Sequence, residues 1–284
     1  MPPKLHKNNA EIADLLKNKL PRSESSDSYK FAFEDIDFLL SKETRGIRFE
    51  LELLKPEIIL KEHDINHTIV VFGSARCVSK QVAEEMINLA KTDSELKKAR
   101  QALDSSHHYE SARRFGSLVA QYNLSQNTSE HHLHICTGGG PGIMEAANRG
   151  AHESGDLSIG LNIGLPHEQR PNPYITPNLS FRFHYFAVRK MHFMMRARAI
   201  VAYPGGFGSF DELFECLTLI QTKKILRLPV ILVNKEFWET IIRFDLLVSE
   251  GFIEPADLDL INFVETPEQA WQAIVDWYEL HPTK

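Results

Sequence analysis

Two short glycine-rich segments carry the chain's most specific chemical pattern. The first reads Thr137-Gly138-Gly139-Gly140-Pro141-Gly142, and the second Pro204-Gly205-Gly206-Phe207-Gly208-Ser209-Phe210-Asp211-Glu212. Each follows an expected strand and opens a helical pattern, so each reads as a strand-to-helix loop. Loops of this kind present free backbone N–H groups at the positive end of a helix dipole, and glycine lets a phosphate approach them. A tight turn alone would also use glycine. Two such loops in one sheet favour a phosphate-bearing ligand over two plain turns. Neither loop is followed by Gly-Lys-Ser/Thr, and neither shows G-x-G-x-x-G with an acidic residue about twenty positions on, which disfavours Walker ATPases and NAD enzymes.

Charged residues near these loops are the next candidates. Ser209 and Glu212 fit the S-x-x-E capping box, an account in which Glu212 only satisfies a helix terminus. Leu213, Leu217 and Ile220 follow as a buried face, with Asp211, Glu215 and Thr218 opposite. Upstream, Arg189, His192 and Arg196 fall at i, i+3 and i+7, opposite Ala187, Met191 and Met194. That spacing reads as a solvated basic stripe, above all for Arg196. Arg189 and Lys190 begin their helix at the same sheet edge as the glycine loops, within reach of an anion there.

These residues need a scaffold, and the apolar pattern supplies one. Strands are expected at Thr68–Phe72, Leu133–Cys136, Ser158–Ile163, Ser180–His184, Ala199–Tyr203, Pro229–Val233 and Ile261–Val264, with helices between most of them. Alternating strands and helices, with several strands continuously apolar, point to a parallel sheet covered on both faces. Ligands in such sheets bind beyond the carboxyl ends of the strands. Ile47, Leu51, Leu54 and Ile58 form one helical stripe that should pack on the main domain or on a partner subunit. Residues 79 to 104 read as a charged helix with Val82, Met86 and Leu89 at helical spacing, and Tyr109 to Tyr122 as another. A last helix should start at Pro267, with a Thr266/Gln269 capping box.

The bulk numbers restrict the partners. Among 284 residues the net charge is −6, which argues against non-specific nucleic-acid binding, and no apolar run approaches the span of a membrane. Cys77, Cys136 and Cys216 form no CxxC pair. His131, His132 and His134 alternate faces near a strand, so no metal site is expected. With no signal-peptide h-region, the expected location is cytoplasmic.

The run Ala187-Val188-Arg189-Lys190-Met191 through Pro204–Glu212, together with Gly138–Met144 and Val71-Phe72-Gly73-Ser74, resembles the lonely-guy family. These are cytokinin riboside 5′-monophosphate phosphoribohydrolases and bacterial nucleotide nucleosidases, and many such sequences carry an inherited "lysine decarboxylase" label. The family signature P-G-G-x-G-T-x-x-E is met here with Ser209 in place of threonine. The resemblance covers roughly residues 68 to 280 and implies a Rossmann-like, doubly wound α/β domain over residues 63–284; an N-terminal helical extension over 1–62 and a helical insert near 79–104 depart from the family's shortest members.

By the same resemblance, Arg189 and Glu212 are the expected catalytic pair. Ser74, Gly139, Gly140, Lys190, Gly205, Gly206, Phe207, Gly208, Ser209 and Asp211 are expected to contact substrate, as is Glu168 in the loop Pro166–Tyr174. The implied reaction is hydrolysis of the N-glycosidic bond of a nucleoside 5′-monophosphate, either AMP-like or a cytokinin riboside monophosphate, by a homodimer or larger homo-oligomer without a cofactor. Glu212 would stabilise positive charge at C1′ and take a proton from water. Arg189, which does not titrate at ordinary pH, would act electrostatically. Asp211 is the candidate for protonating the departing base. Two rivals remain: a nucleotide- or molybdenum-cofactor-binding carrier, which needs the glycine loops alone, and a pyridoxal-phosphate decarboxylase using Lys190 or Lys223.

Overall fold

The computed structural model describes residues 30–126, 128–165 and 170–280. The chain separates into two compact units, one ending at Lys55 and the other running from Pro56. The first unit holds helix α1 (Ile36–Leu40), capped by the Asp35 carboxylate on the Phe38 N–H. It also holds the start of α2 (Arg45–Glu62), whose internal Pro56 marks the division. Ile47, Leu51, Leu54 and Ile58 do lie on α2, yet all four are about half exposed.

The second unit is built on β1 (Thr68–Phe72), α3 (Lys80–Leu89), α4 (Asp93–Ser125), β2 (His134–Thr137), α5 (Ile143–Glu153), β3 (Ser158–Ile163) and β4 (Ser180–Phe183). It continues through α6 (Phe186–Met195), β5 (Ala197–Ala202), α7 (Phe207–Gln221), β6 (Val230–Val233), α8 (Lys235–Ile241), α9 (Phe244–Ser249), β7 (Ile261–Val264) and α10 (Pro267–Leu280). All seven expected strands form, within two residues of their expected ends. The last helix starts as read: Thr266 Oγ1 accepts from the Gln269 N–H at 3.1 Å, and Gln269 Oε1 from the Thr266 N–H at 3.2 Å.

The strands make one parallel sheet in the order β4-β3-β2-β1-β5-β6-β7. From β1 the chain winds outward to β4, returns to β5 beside β1, and winds the other way to β7. The reversal between β1 and β5 is the topological switch point, where loops leave in opposite directions and open a crevice. All five residues of β1 are buried, as a strand covered on both faces requires.

One helix departs from the expected pattern. The helix expected over residues 79 to 104 instead divides into α3 and the start of α4, and the break expected before Tyr109 is absent, so Asp93 to Ser125 is a single 33-residue helix. No glycine or proline interrupts residues 104 to 109, so nothing ends the helix there. A capping box at Thr92 and Glu95 fixes its start. Further along, Gly116 brings α4 so near α5 that a Cβ would lie 2.2 Å from the Ala147 carbonyl oxygen. Small residues at this crossing set the course of α4.

Candidate active site

The second glycine loop leaves β5 at the switch point. Its backbone is tied to β1, because the Pro204 carbonyl accepts from the Ser74 N–H at 3.0 Å and the Phe72 carbonyl from the Tyr203 N–H at 2.9 Å. Helix α7 then begins at Phe207 with Gly206 at its N-cap and no side-chain cap. The Ser209 and Phe210 N–H groups donate to the Gly206 carbonyl at 2.9 and 3.1 Å, which leaves the Phe207 and Gly208 N–H groups, uncapped by any side chain, at the positive end of the dipole. The capping-box account of Ser209 and Glu212 fails. Ser209 is the third helical residue and Glu212 the sixth, well past the orphan donors. Glu212 instead faces inward beside Leu213 and Cys216, with 5% of its surface exposed.

The first glycine loop is held by a net of buried amides. Thr137 Oγ1 accepts from the Gly139 N–H at 3.0 Å and donates to Asn148 Oδ1 at 2.7 Å. Asn172 Nδ2 donates to the Gly140 carbonyl at 3.1 Å and to Asn148 Oδ1 at 3.0 Å. Gly142, at φ 73°, caps α5, and a Cβ there would lie 2.2 Å from the Ser74 carbonyl oxygen. That carbonyl accepts the Ile143 N–H at 3.0 Å, so both glycine loops are pinned to the same Ser74 turn.

Arg189, on α6, reaches between the loops. Its Nε donates to the Leu161 carbonyl at 2.7 Å, its guanidinium lies 4.9 Å from the centre of the Phe193 ring, and Nη1 is 3.6 Å from Glu212 Oε1. Burial pushes the Glu212 carboxyl up to about 7, against the pull of Arg189 and Lys190. Burial likewise lowers the Arg189 pKa, and Glu212 opposes it. Glu212 Oε2 has no hydrogen-bond partner among the described residues. A buried carboxylate with one satisfied side and one open side is expensive to keep, and such groups concentrate at functional sites.

The rest of α6 follows the expected pattern at Met194, which is buried, and departs from it elsewhere. Ala187 and Met191 are exposed, whereas His192 is buried and Arg196 is mostly buried. Arg196 forms a bidentate pair with Glu57 and donates from Nε to the Ile65 carbonyl at 3.1 Å. It is not a solvated charge. The charged groups of this helix turn inward because carboxylates and carbonyls meet them there.

A cavity of about 1150 Å³ opens over the switch point, at the upper end of ordinary small-molecule sites. Of the expected residues, Ser74, Arg189, Gly205, Gly206, Phe207, Gly208, Ser209, Asp211 and Glu212 line it. Gly139 and Gly140 stand behind, within the amide net. Lys190 is turned away from a ligand role: its Nζ lies 2.9 Å from Asp211 Oδ1 and 3.0 Å from Glu215 Oε2. Burial works against its charge, but these two partners outweigh that and raise its pKa. Asp211 is engaged by the same lysine and its side chain is 59% exposed, which argues against it as a proton donor. Glu168 lies outside the described residues. Among the described residues, no three His, Cys, Asp or Glu side chains are placed to hold a metal ion, and no helix is long and apolar enough to cross a membrane. His134 pairs instead with Asp156, at 3.2 Å.

Several residues of the site were not foreseen. Asn148 and Asn172 carry no motif, although an amide inside the small-residue helix α5 is a polar group at a packed position. Gln101, Ser105 and His108 belong to α4 and reach the cavity only because α4 is one continuous helix.

Fold and site together define a doubly wound α/β protein with two glycine loops and a buried Arg–Glu pair at the switch point. Residues 144–274 match the family model described as "possible lysine decarboxylase". A probable cytokinin riboside 5′-monophosphate phosphoribohydrolase of Oryza sativa subsp. japonica is 31% identical over 145 residues, covering 48% of this chain and 56% of that one. A cytokinin riboside 5′-monophosphate phosphoribohydrolase of Arabidopsis thaliana is 26% identical over 167 residues, covering 57% of this chain and 76% of that one. The chain thus spans a little over half the length of the rice relative. Among solved structures, the molybdenum cofactor binding protein of Rippkaea orientalis aligns with a TM-score of 0.46 and 19% identity, over 75% of this chain and 97% of that one. Over about half its length the chain is thus similar to members of the lonely-guy family, which its motifs resemble.

Proposed function

We propose that this chain hydrolyses the N-glycosidic bond of a nucleoside 5′-monophosphate, giving the free base and ribose 5-phosphate. The observation that carries the reading is Glu212, a buried carboxyl raised to about 7 that presents an unpartnered oxygen beside Arg189. Near it the Phe207 and Gly208 N–H groups, uncapped by any side chain at the start of α7, suit the 5′-phosphate.

The chemistry follows from these positions. Cleavage of the N–C1′ bond leaves its electron pair on the base nitrogen and builds positive charge on the ribose. Glu212 offsets that charge and takes a proton from the water that attacks C1′. A carboxyl poised near neutrality can also release that proton, and the proton ends on the departing base. No second acid is needed, which suits the engagement of Asp211 by Lys190. Arg189, held by the Leu161 carbonyl and the Phe193 ring, orients the carboxylate and adds positive charge on the ligand side. A pyridoxal mechanism would need Lys190 uncharged, whereas two carboxylates hold it as the ammonium.

Glu212→Gln should retain nucleotide binding while release of ribose 5-phosphate falls about a thousandfold. Binding by calorimetry and product formation with adenosine 5′-monophosphate check this. Wild-type turnover by the variant would refute the assignment.

A further inference from the structure

Helix α4 contributes a wall to the cavity that the catalytic reading does not use. Gln101, Ala102, Ser105 and His108 fall at i, i+1, i+4 and i+7, and all of them line the same cavity as Ser209 and Glu212. Lys98 extends the stripe by one turn. If phosphate rests on the α7 N-terminus and C1′ beside Glu212, the base is the part of the ligand left to meet this wall.

We propose that this face of α4 reads the base, and that it selects nucleotides whose base keeps an unsubstituted hydrogen-bonding edge over those carrying an apolar substituent on the exocyclic nitrogen. The inference rests on the phosphate and ribose placement of the proposed function. The wall brings polar groups to the cavity. Gln101 can donate and accept, and Ser105, whose hydroxyl donates to the Ala102 carbonyl at 3.2 Å, can accept. His108 is buried, and burial with His107 alongside pushes its pKa down to about 4, so at neutral pH its imidazole offers one donor and one acceptor without charge. An alkyl group laid against this stripe would strip water from these groups and return nothing, a penalty for each one left unsatisfied. A base edge replaces that water with hydrogen bonds. Ala102, small and between Gln101 and Ser105, leaves room for a ring to approach, while Met86 and Phe237 supply apolar surface elsewhere in the cavity.

The test compares wild type with Gln101→Ala, Ser105→Ala and the double variant, using adenosine 5′-monophosphate, its N6-isopentenyl derivative and ribose 5-phosphate as probes. Gln101 is exposed and Ser105 half-buried, so neither truncation opens the core. Wild type should cleave the unsubstituted nucleotide with the higher kcat/KM. The double variant should lose about tenfold on it, mainly in KM, with inhibition by the base-free ribose 5-phosphate unchanged. A wild-type preference for the N6-isopentenyl nucleotide overturns the proposal. So does a variant within about twofold of wild type, or an equal loss of ribose 5-phosphate affinity. If neither nucleotide is cleaved, the glycosidase reading fails by itself and equilibrium binding of adenosine 5′-monophosphate decides the wall. About tenfold weaker binding by the double variant then supports it, and unchanged or undetectable binding overturns it.

Discussion

The two glycine loops look alike in sequence and serve different masters in the structure. In the first, Gly142 has a positive φ and abuts the Ser74 carbonyl, and the loop backbone is fastened by Thr137, Asn148 and Asn172. In the second, Gly206 and Gly208 have nothing within 4 Å of where a Cβ would sit, and neither takes a positive φ. Only Gly205 is crowded there, by the Ser209 hydroxyl. The fold itself demands glycine in the first loop. In the second it leaves Gly206 and Gly208 without a structural reason, which is what a ligand resting on the backbone would require. One loop is a platform, and the other is the surface presented to the substrate.

The largest expected effect lies in the platform. Gly142→Ala places a Cβ against the Ser74 carbonyl in a backbone region that L side chains rarely adopt, and should cost about 4 kcal/mol of stability. Chemical denaturation would measure it. Because Ser74 also ties down Pro204, both loops should loosen together. A variant with wild-type stability would show that the first loop is not fixed as described.

This contrast was only partly legible in the sequence. Strands such as Thr68–Phe72 and Pro229–Val233 announce themselves, because a strand buried on both faces must be apolar throughout. The glycine loops were equally plain, but their division of labour was not, since it depends on what lies within 4 Å of each glycine. Helix α6 was read only in part: Arg189 at the ligand edge was foreseen, whereas the burial of His192 and Arg196 was not. Ten residues offer barely three turns, so Arg189, His192 and Arg196 fit a solvated stripe as well as an inward one until Glu57 and Glu212 are in place. The α4 wall was hidden for a related reason. A continuous helix carries no sign of which turn passes over a cavity formed some hundred residues later in the chain.

Glu212 gives a second way to sharpen the comparison, because it belongs to the open side. Its native pKa of about 7 lies above the ordinary value of 4.5, so the folded state holds a proton that the unfolded chain has released. Stability from this group is therefore full below about pH 4.5 and is lost as pH rises through about 7, at most about 3 kcal/mol in all. Glu212→Gln carries no such charge. Its melting temperature should match wild type near pH 4.5 and exceed it increasingly up to pH 8. Parallel melting curves across that range would mean that Glu212 is not strained by burial. Wild-type kcat/KM should rise over the same window, as a base that works only when ionised requires.

The smallest effect is the most discriminating. Gly208 occupies the second position of α7, exposed and with open space beside it, so Gly208→Ala meets no clash and restricts the unfolded chain. Stability should stay level or rise by up to about 1 kcal/mol. A methyl group on that face, however, stands where a phosphate would approach the N–H groups of the first turn. Nucleotide affinity should fall about tenfold, near 1.4 kcal/mol, while the fold gains. Stability and binding moving in opposite directions is the signature of a glycine kept for a ligand. Titration of adenosine 5′-monophosphate beside thermal melts would show it, and a variant that melts higher and binds as tightly as wild type would leave the second loop as no more than another turn.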